Sequence, residues 1–251
     1  IKQLLFQPPP PRVSAPMSVD LVALVAEAEE KKAAHDVLGV YTLLNDAVET
    51  KGLNDKPELL WRLSRACYDM ANETNDANHK KEFAEHAVAY SKKACTLDDA
   101  NWAAHKWYGI SLGLLGKFIP TKEKIGNAYV IKEQFELGIK LNPNDATLHH
   151  ALGTWCWNVL QISMIERGFA KVLFATIPSS TYEECEASLL KSAELDPAQS
   201  YNNLLLGDLY YQLRRWQDAK TWYLKATAVP AVTDHQKRLK AEAEQKAAKC
   251  D

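Results

Sequence analysis

The chain has 251 residues, 47% of them hydrophobic and 25% charged, with a formal net charge of −2. This composition excludes a disordered or collagenous chain and suits one large domain or a repeat array, while a charge so near zero gives no chain-wide pull toward nucleic acid. No apolar run approaches the ~20 residues of a membrane-spanning helix, and five cysteines without C-x-x-C spacing (Cys67, Cys95, Cys156, Cys185, Cys250) read as reduced, cytoplasmic thiols used as small apolar side chains.

Residues 1–18 contain "QPPPPR", which cannot be helical through its prolines. They are expected to form an extended Pro-rich arm or a leader, with Met17 a candidate start. Residues 19–56 supply one helical hairpin, expected to cap the fold, and residues 57–251 read as a repeat domain closed by a C-terminal capping helix. From Val19 onward the periodicity is helical. Leu59, Leu60, Leu63, Cys67 and Met70 fall on one face, and Gly and Pro sit between the helical segments.

Three stretches repeat one another: "TLDDANWAAHKWYG" from Thr96, "KLNPNDATLHHALG" from Lys140 and "ELDPAQSYNNLLLG" from Glu194. In each, a Gly follows the Pro place (Asp99, Pro143, Pro197) at the same spacing. Aligned on the glycines, His105-x2-Tyr108-Gly109-x2-Leu112, His149-x2-Leu152-Gly153-x2-Cys156 and Asn203-x2-Leu206-Gly207-x2-Tyr210 share a template. It resembles the first helix of a tetratricopeptide repeat, W-x2-L-G-x2-Y. The second-helix half, A-x3-F, is matched by Ile131-x3-Phe135, Cys185-x3-Leu189 and Ala219-x3-Tyr223. A small residue lets two helices approach and large ones fill the space beside it, so Gly109, Gly153 and Gly207 are expected at equivalent crossings. The middle repeats are longer than a 34-residue unit by about 10 and 20 residues. "KFIPTKEKIGNA" is expected to extend a helix starting near Pro120, and "ISMIERGFAKVLFATIPSST" to add a helix and a loop. The fold class is therefore all-α: a tetratricopeptide-like α-solenoid of helix pairs with extended or inserted helices in the middle repeats.

The wording "KEKIGNAYVIKEQFELGIKLNPNDA", "ERGFAKVLFATIPSSTYEE" and "NNLLLGDLYYQLRRWQDAKTWYLKA" resembles the regulator of microtubule dynamics family from about Pro57 to Lys240, both insertions included. The resemblance implies a helical repeat domain without enzymatic activity, associated with microtubules or the spindle. One branch of that family carries a membrane anchor, tethers endoplasmic reticulum to mitochondria and has lipid binding attributed to its repeat domain. The implied partners are therefore microtubules or tubulin, peptide segments of other proteins and phospholipid, in cytoplasm or cytoskeleton with mitochondrial association as a further location.

No Gly-rich phosphate loop, G-x-S-x-G, H-E-x-x-H or zinc-type Cys/His spacing occurs, so no enzyme, cofactor or metal is expected. His149 and His150 are adjacent, but neighbours on a helix point about 100° apart, and His149, like His105, stands where the repeat template has Trp. Both are expected to pack. First helices of a helix-pair solenoid line its concave face. That places Trp61, Arg65, Tyr68, Lys106, His150, Thr154, Trp157, Tyr201, Asp208 and Tyr211 in a partner groove, where rigid rings supply contact area. Three basic groups are the expected microtubule contacts: Lys237, Arg238 and Lys240 first, then Lys117, Lys122 and Lys124, with Arg214, Arg215 and Lys220 at the last inter-helix turn. The alternative function is lipid binding or organelle contact, in an apolar cavity roofed by the 161–180 insertion through Ile162, Ile165, Phe169, Val172, Leu173 and Phe174.

Overall fold

A computed structural model describes residues 21–162 and 178–250. The arm at 1–18 and all but the first residue of the apolar set Ile162–Phe174 lie outside the described residues. The described residues are helical, without a strand, and form two compact units divided between Leu115 and Gly116. That division falls inside the stretch expected to be one repeat domain.

The first unit contains α1 (Leu21–Ala33), α2 (Val37–Asn45, continued by a π-helical turn to Thr50), α3 (Pro57–Glu73), α4 (Ala77–Leu97) and α5 (Trp102–Leu115). Each packs on the next, and α5 returns to α3. The apolar face read from the sequence is the core of α3: Leu59, Leu60, Leu63 and Cys67 are all fully buried. The second unit contains α6 (Thr121–Leu141), α7 (Ala146–Leu160), α8 (Tyr182–Leu195), α9 (Ser200–Gln212), α10 (Trp216–Ala228) and α11 (Asp234–Ala247), which ends in a 3-10 turn at Ala248–Cys250. Here α6 packs on α7, α7 on α8, and so on to α11, which also touches α9. As expected from Pro120, α6 begins at Thr121 with that proline as its N-cap.

The three repeated stretches build the same junction. At each, an Asx residue (Asp98, Asn142, Asp196) ends a helix by donating its N–H to the carbonyl four residues back, at 3.0, 2.8 and 2.9 Å. Its side chain then accepts from the N–H two residues on, at 3.2, 3.3 and 3.0 Å. This Asx turn reverses the chain and gives a turn N–H its acceptor. The carbonyl of the next residue accepts from the side chain six positions later: His105 Nε2 on Asp99 at 2.8 Å, His149 Nε2 on Pro143 at 2.9 Å, and Asn203 Nδ2 on Pro197 at 2.9 Å. The histidines in the Trp place therefore do more than pack. They clamp the turn to the helix that follows it, and Asn203 does the same with an amide.

Two of the expected crossings are visible as contacts. A Cβ on Gly153 would meet Leu189 Cδ2 at 2.5 Å and Cγ at 2.7 Å, and one on Gly207 would run into the Tyr223 ring, with Cγ at 2.9 Å. Leu189 and Tyr223 are the A-x3-F positions of the following helices, both fully buried. Gly109 is buried on α5.

Gly207→Ala should cost about 1–3 kcal/mol through overpacking, outweighing the roughly 1 kcal/mol that Ala gains over Gly as a helix former. Gly113, also helical but with nothing near its missing Cβ, should respond oppositely, with Gly113→Ala stabilising by about 0.5–1 kcal/mol. Urea unfolding of both variants checks the contrast, and the same sign for both would remove the crossing. At the turn clamp, His149→Ala should cost about 1 kcal/mol, the worth of one hydrogen bond. His149→Asn, the residue that does this work at 203, should recover most of it in the same assay.

Candidate functional site

The residues expected to line a groove are distributed over both units. In the first, Trp61 lies under the guanidiniums of Arg62 and Arg65, 4.0 and 5.4 Å from its ring centre, and donates its indole N–H to Glu58 at 3.2 Å. Arg65 is only 7% exposed. Its Nη2 donates to Glu29 of α1 at 3.0 Å, and Arg62 Nε binds the same carboxylate oxygen at 2.9 Å. Burial opposes the charge on Glu29, but Arg65 and Arg62 outweigh it and hold the carboxyl below its usual range. Arg65 is thus held inside the fold by the N-terminal hairpin. Beyond it, Tyr68 meets Trp107 edge-on at 5.7 Å, and Lys106 sits 4.5 Å over the Trp102 ring. Burial pushes Asp69 up to about 6, against the pull of Arg65 and Lys32.

In the second unit, His150 joins α7 to α9 through a chain whose donors can be assigned. Asn202 Nδ2 donates to the Leu189 carbonyl at 3.0 Å, which turns Asn202 Oδ1 toward His150 Nδ1 at 2.9 Å. His150 therefore carries its proton on Nδ1, and Nε2 accepts from the Thr154 hydroxyl at 3.2 Å. Tyr201 covers the ring edge-on at 4.5 Å, and Trp157 lies partly buried on the same helix. Burial lowers His150 to about 4. Asp208 is clamped from the C-terminal helix: Lys246 Nζ lies 2.8 Å from both carboxylate oxygens, and the Tyr223 hydroxyl donates to one of them at 2.8 Å.

Tyr211, expected in the groove, and Arg214 and Arg215, expected in a basic patch, come together in one place. With Trp216, Gln217, Asp218, Lys249 and Cys250 they line an open surface pocket of about 600 Å³. The chain gets there through a helix end. Arg214 sits at φ 58°, donating its N–H to Tyr211 O at 3.0 Å while Arg215 N–H reaches Tyr210 O at 2.9 Å. This is the paired closure in which the left-handed residue is usually Gly. Trp216 and Lys249 were missed from the sequence. Trp216 had a signal, an aromatic beside two arginines at a helix start, whereas Lys249 arrives from a distant helix end.

The remaining basic residues are on the surface of the second unit. Lys117, Lys122, Lys124 and Arg238 are exposed, while Lys220 and Lys240 are partly buried. Lys237 is exposed and pairs with Asp234 at 3.1 Å. Among the described residues no group of three or more His, Cys, Asp or Glu is arranged to hold a metal, and no helix is long and apolar enough to cross a membrane. Cys156 and Cys185 are both buried as expected. Burial pushes the Cys185 thiol up to about 12, so it is a poor nucleophile. The lipid-cavity reading depends on residues outside the described ones.

The His150 assignment has a pH consequence. Its folded pKa of about 4 lies below the ordinary 6.5, so the unfolded chain binds this proton first. The His150 contribution to stability is complete above pH 6.5 and is lost as pH falls toward 4. Ring-proton NMR should give a His150 midpoint near 4, and a midpoint near 6.5 would show the α7–α9 contact to be open to water.

The family model described as regulator of microtubule dynamics protein 1-3 matches residues 22–251. Regulator of microtubule dynamics protein 1 of Bos taurus is 40% identical over 93% of this chain and 75% of its own length, and the Homo sapiens protein is 41% identical over 74% and 60%. Regulator of microtubule dynamics protein 3 of Xenopus laevis is 31% identical over 87% of this chain and 47% of its own. The chain thus spans three-quarters to under half of these relatives' lengths. Among solved structures, TTC0263, a thermophilic TPR protein of Thermus thermophilus, superposes with a TM-score of 0.65 at 16% identity, over 89% of this chain and 98% of that one. That likeness establishes the tetratricopeptide-like solenoid fold. With the family model matched over residues 22–251, the chain belongs to the regulator of microtubule dynamics family.

Proposed function

We propose that this chain is a non-enzymatic scaffold that associates with microtubules through exposed cations of the second unit. The family and its repeat fold support a regulator that works by binding. The observation that carries the electrostatic mechanism is the Lys117, Lys122 and Lys124 cluster at the start of α6. All three are exposed, and none has an ion-pair partner among the described residues. Unpaired cations grouped on a chain of net charge −2 are what a weak, long-range contact with acidic tails requires. Arg238 and Lys240 add a second cluster on α11, but Lys237 beside them already has Asp234. An exposed pair of this kind is worth no more than about 1 kcal/mol, so Lys237 remains available to a stronger partner. The cytoskeleton is the location this reading implies.

Co-pelleting of the purified chain with microtubules tests the reading. Binding should fall steeply with added salt, because the Debye length shrinks from about 10 Å at 0.1 M to about 3 Å at 1 M. Reversing Lys117, Lys122 and Lys124 to Glu together should weaken it at least tenfold, with helicity and melting unchanged. The same reversal at Lys237, Arg238 and Lys240 should have a smaller effect. A chain that stays in the supernatant at low salt would defeat direct association, and pelleting insensitive to salt would defeat the electrostatic mechanism.

A further inference from the structure

We propose that the pocket at the α9–α10 turn binds an acidic peptide segment bearing one aromatic side chain. The ring enters against Tyr211 and Trp216, and flanking carboxylates meet Arg214 and Lys249. This deepens the scaffold reading by naming a docking site within the second unit and the chemistry that fits it.

Three observations converge. Tyr211 and Trp216 are 38% and 42% exposed, and they meet edge-to-face at 4.8 Å and 69°. That geometry leaves ring surface open to a further ring, and exposed paired aromatics of this kind are what binding centres use. The pocket's volume of about 600 Å³ lies within the range of small-ligand and side-chain sites, about 300–1,000 Å³.

The charges around these rings are unbalanced. Three cations (Arg214, Arg215, Lys249) face one carboxylate (Asp218) in the lining, an excess of 3 − 1 = 2 positive charges. Arg215 is committed: its Nε binds Asp218 at 2.8 Å, its Nη1 lies 3.3 Å from Glu186, and its guanidinium sits 4.4 Å over the Tyr210 ring. The side chains of Arg214 and Lys249 are exposed and have no hydrogen-bond or ion-pair partner among the described residues. The excess therefore belongs to the two cations free to turn toward a ligand, and it selects carboxylates over a basic segment.

The backbone supplies the third observation. Arg214 is held at φ 58°, a region that costs an L-residue energy and that Gly enters freely. His35 ends α1 in the same conformation, but His is among the residues that adopt it more readily, whereas Arg is not. Strain kept where Gly would relieve it marks a side chain retained for another purpose. Here that side chain is a free guanidinium at the rim of an aromatic pocket.

The test uses fluorescein-labelled peptides and the whole chain, with anisotropy as readout: three Glu, one Phe and three Glu; seven Glu; and three Lys, one Phe and three Lys. The first should bind at least tenfold more tightly than either other, and should shift the Trp216 indole N–H cross-peak, assigned with Trp216→Phe. Arg214→Gly is the diagnostic variant. It should raise Tm by a few degrees by relieving the backbone yet weaken the first peptide at least fivefold, and Trp216→Ala should also weaken it at least fivefold. Equal binding of the lysine peptide, or Arg214→Gly binding within twofold of the unaltered chain, would overturn the proposal. Co-pelleting separates it from the scaffold reading. If microtubules pellet Arg214→Gly and Trp216→Ala normally but not the Lys117/Lys122/Lys124 reversal, and the peptides ignore the pocket, the pocket fails and the scaffold stands. If the peptides bind as expected and the chain never pellets, the pocket stands and microtubule association fails.

Discussion

A chain that reverses direction between helices must find partners for the carbonyls it exposes, and this protein meets that constraint three times in one way. At Asp98, Asn142 and Asp196 the Asx side chain closes the turn, and His105, His149 or Asn203 then takes the next carbonyl. The clamp ties the turn to the first full turn of the following helix. It thereby fixes where that helix starts and which residues it presents to its neighbour. The glycine four positions beyond each clamp residue reaches its place only because that starting point is set.

From those glycines the packing continues outward. At Gly207 the missing side chain makes room for the Tyr223 ring, and the hydroxyl of the same ring reaches Asp208. Asp208 in turn holds Lys246, which also binds Glu242 on its own helix at 2.7 Å. Burial disfavours the charge on Lys246, but Asp208 and Glu242 outweigh it and raise its pKa. A repeat crossing is thus coupled to the seating of α11 through one tyrosine. In the first unit Glu29 plays the corresponding part, holding Arg62 and Arg65 of α3 from the N-terminal hairpin. Polar residues that a repeat alignment assigns to a binding face are here used within the fold.

The cations proposed for partners therefore lie at helix ends and edges more than on inner faces. Lys117, Lys122 and Lys124 precede or open α6, where the helix N-terminus already favours negative partners. Arg214 stands beyond the end of α9, and its side chain is left over after Arg215 has taken the nearby carboxylates. Exposed cations without local partners keep their field for a ligand, whereas paired ones lose most of it to their neighbour.

Much of the architecture was legible in the sequence, because helical periodicity, the Leu-Asx turn and the small-residue crossing are local or spaced at fixed intervals. Leu59, Leu60, Leu63 and Cys67 could be assigned to one buried face, α6 could be started after Pro120, and Gly207 placed at a close helix crossing by repeat register alone. The roles of His105 and His149 were read as packing, since the template supplies a residue size at that position and says nothing of a carbonyl six residues earlier. The groove was less legible for a different reason. Whether Arg65 and Asp208 face a partner depends on Glu29 and Lys246, which lie far away in sequence and reach them only because α1 packs beside α3 and α11 beside α9. The pocket at Tyr211 likewise needs Lys249 brought beside Trp216. Periodicity determines which face of a helix a residue occupies, but only the tertiary structure determines what already covers that face.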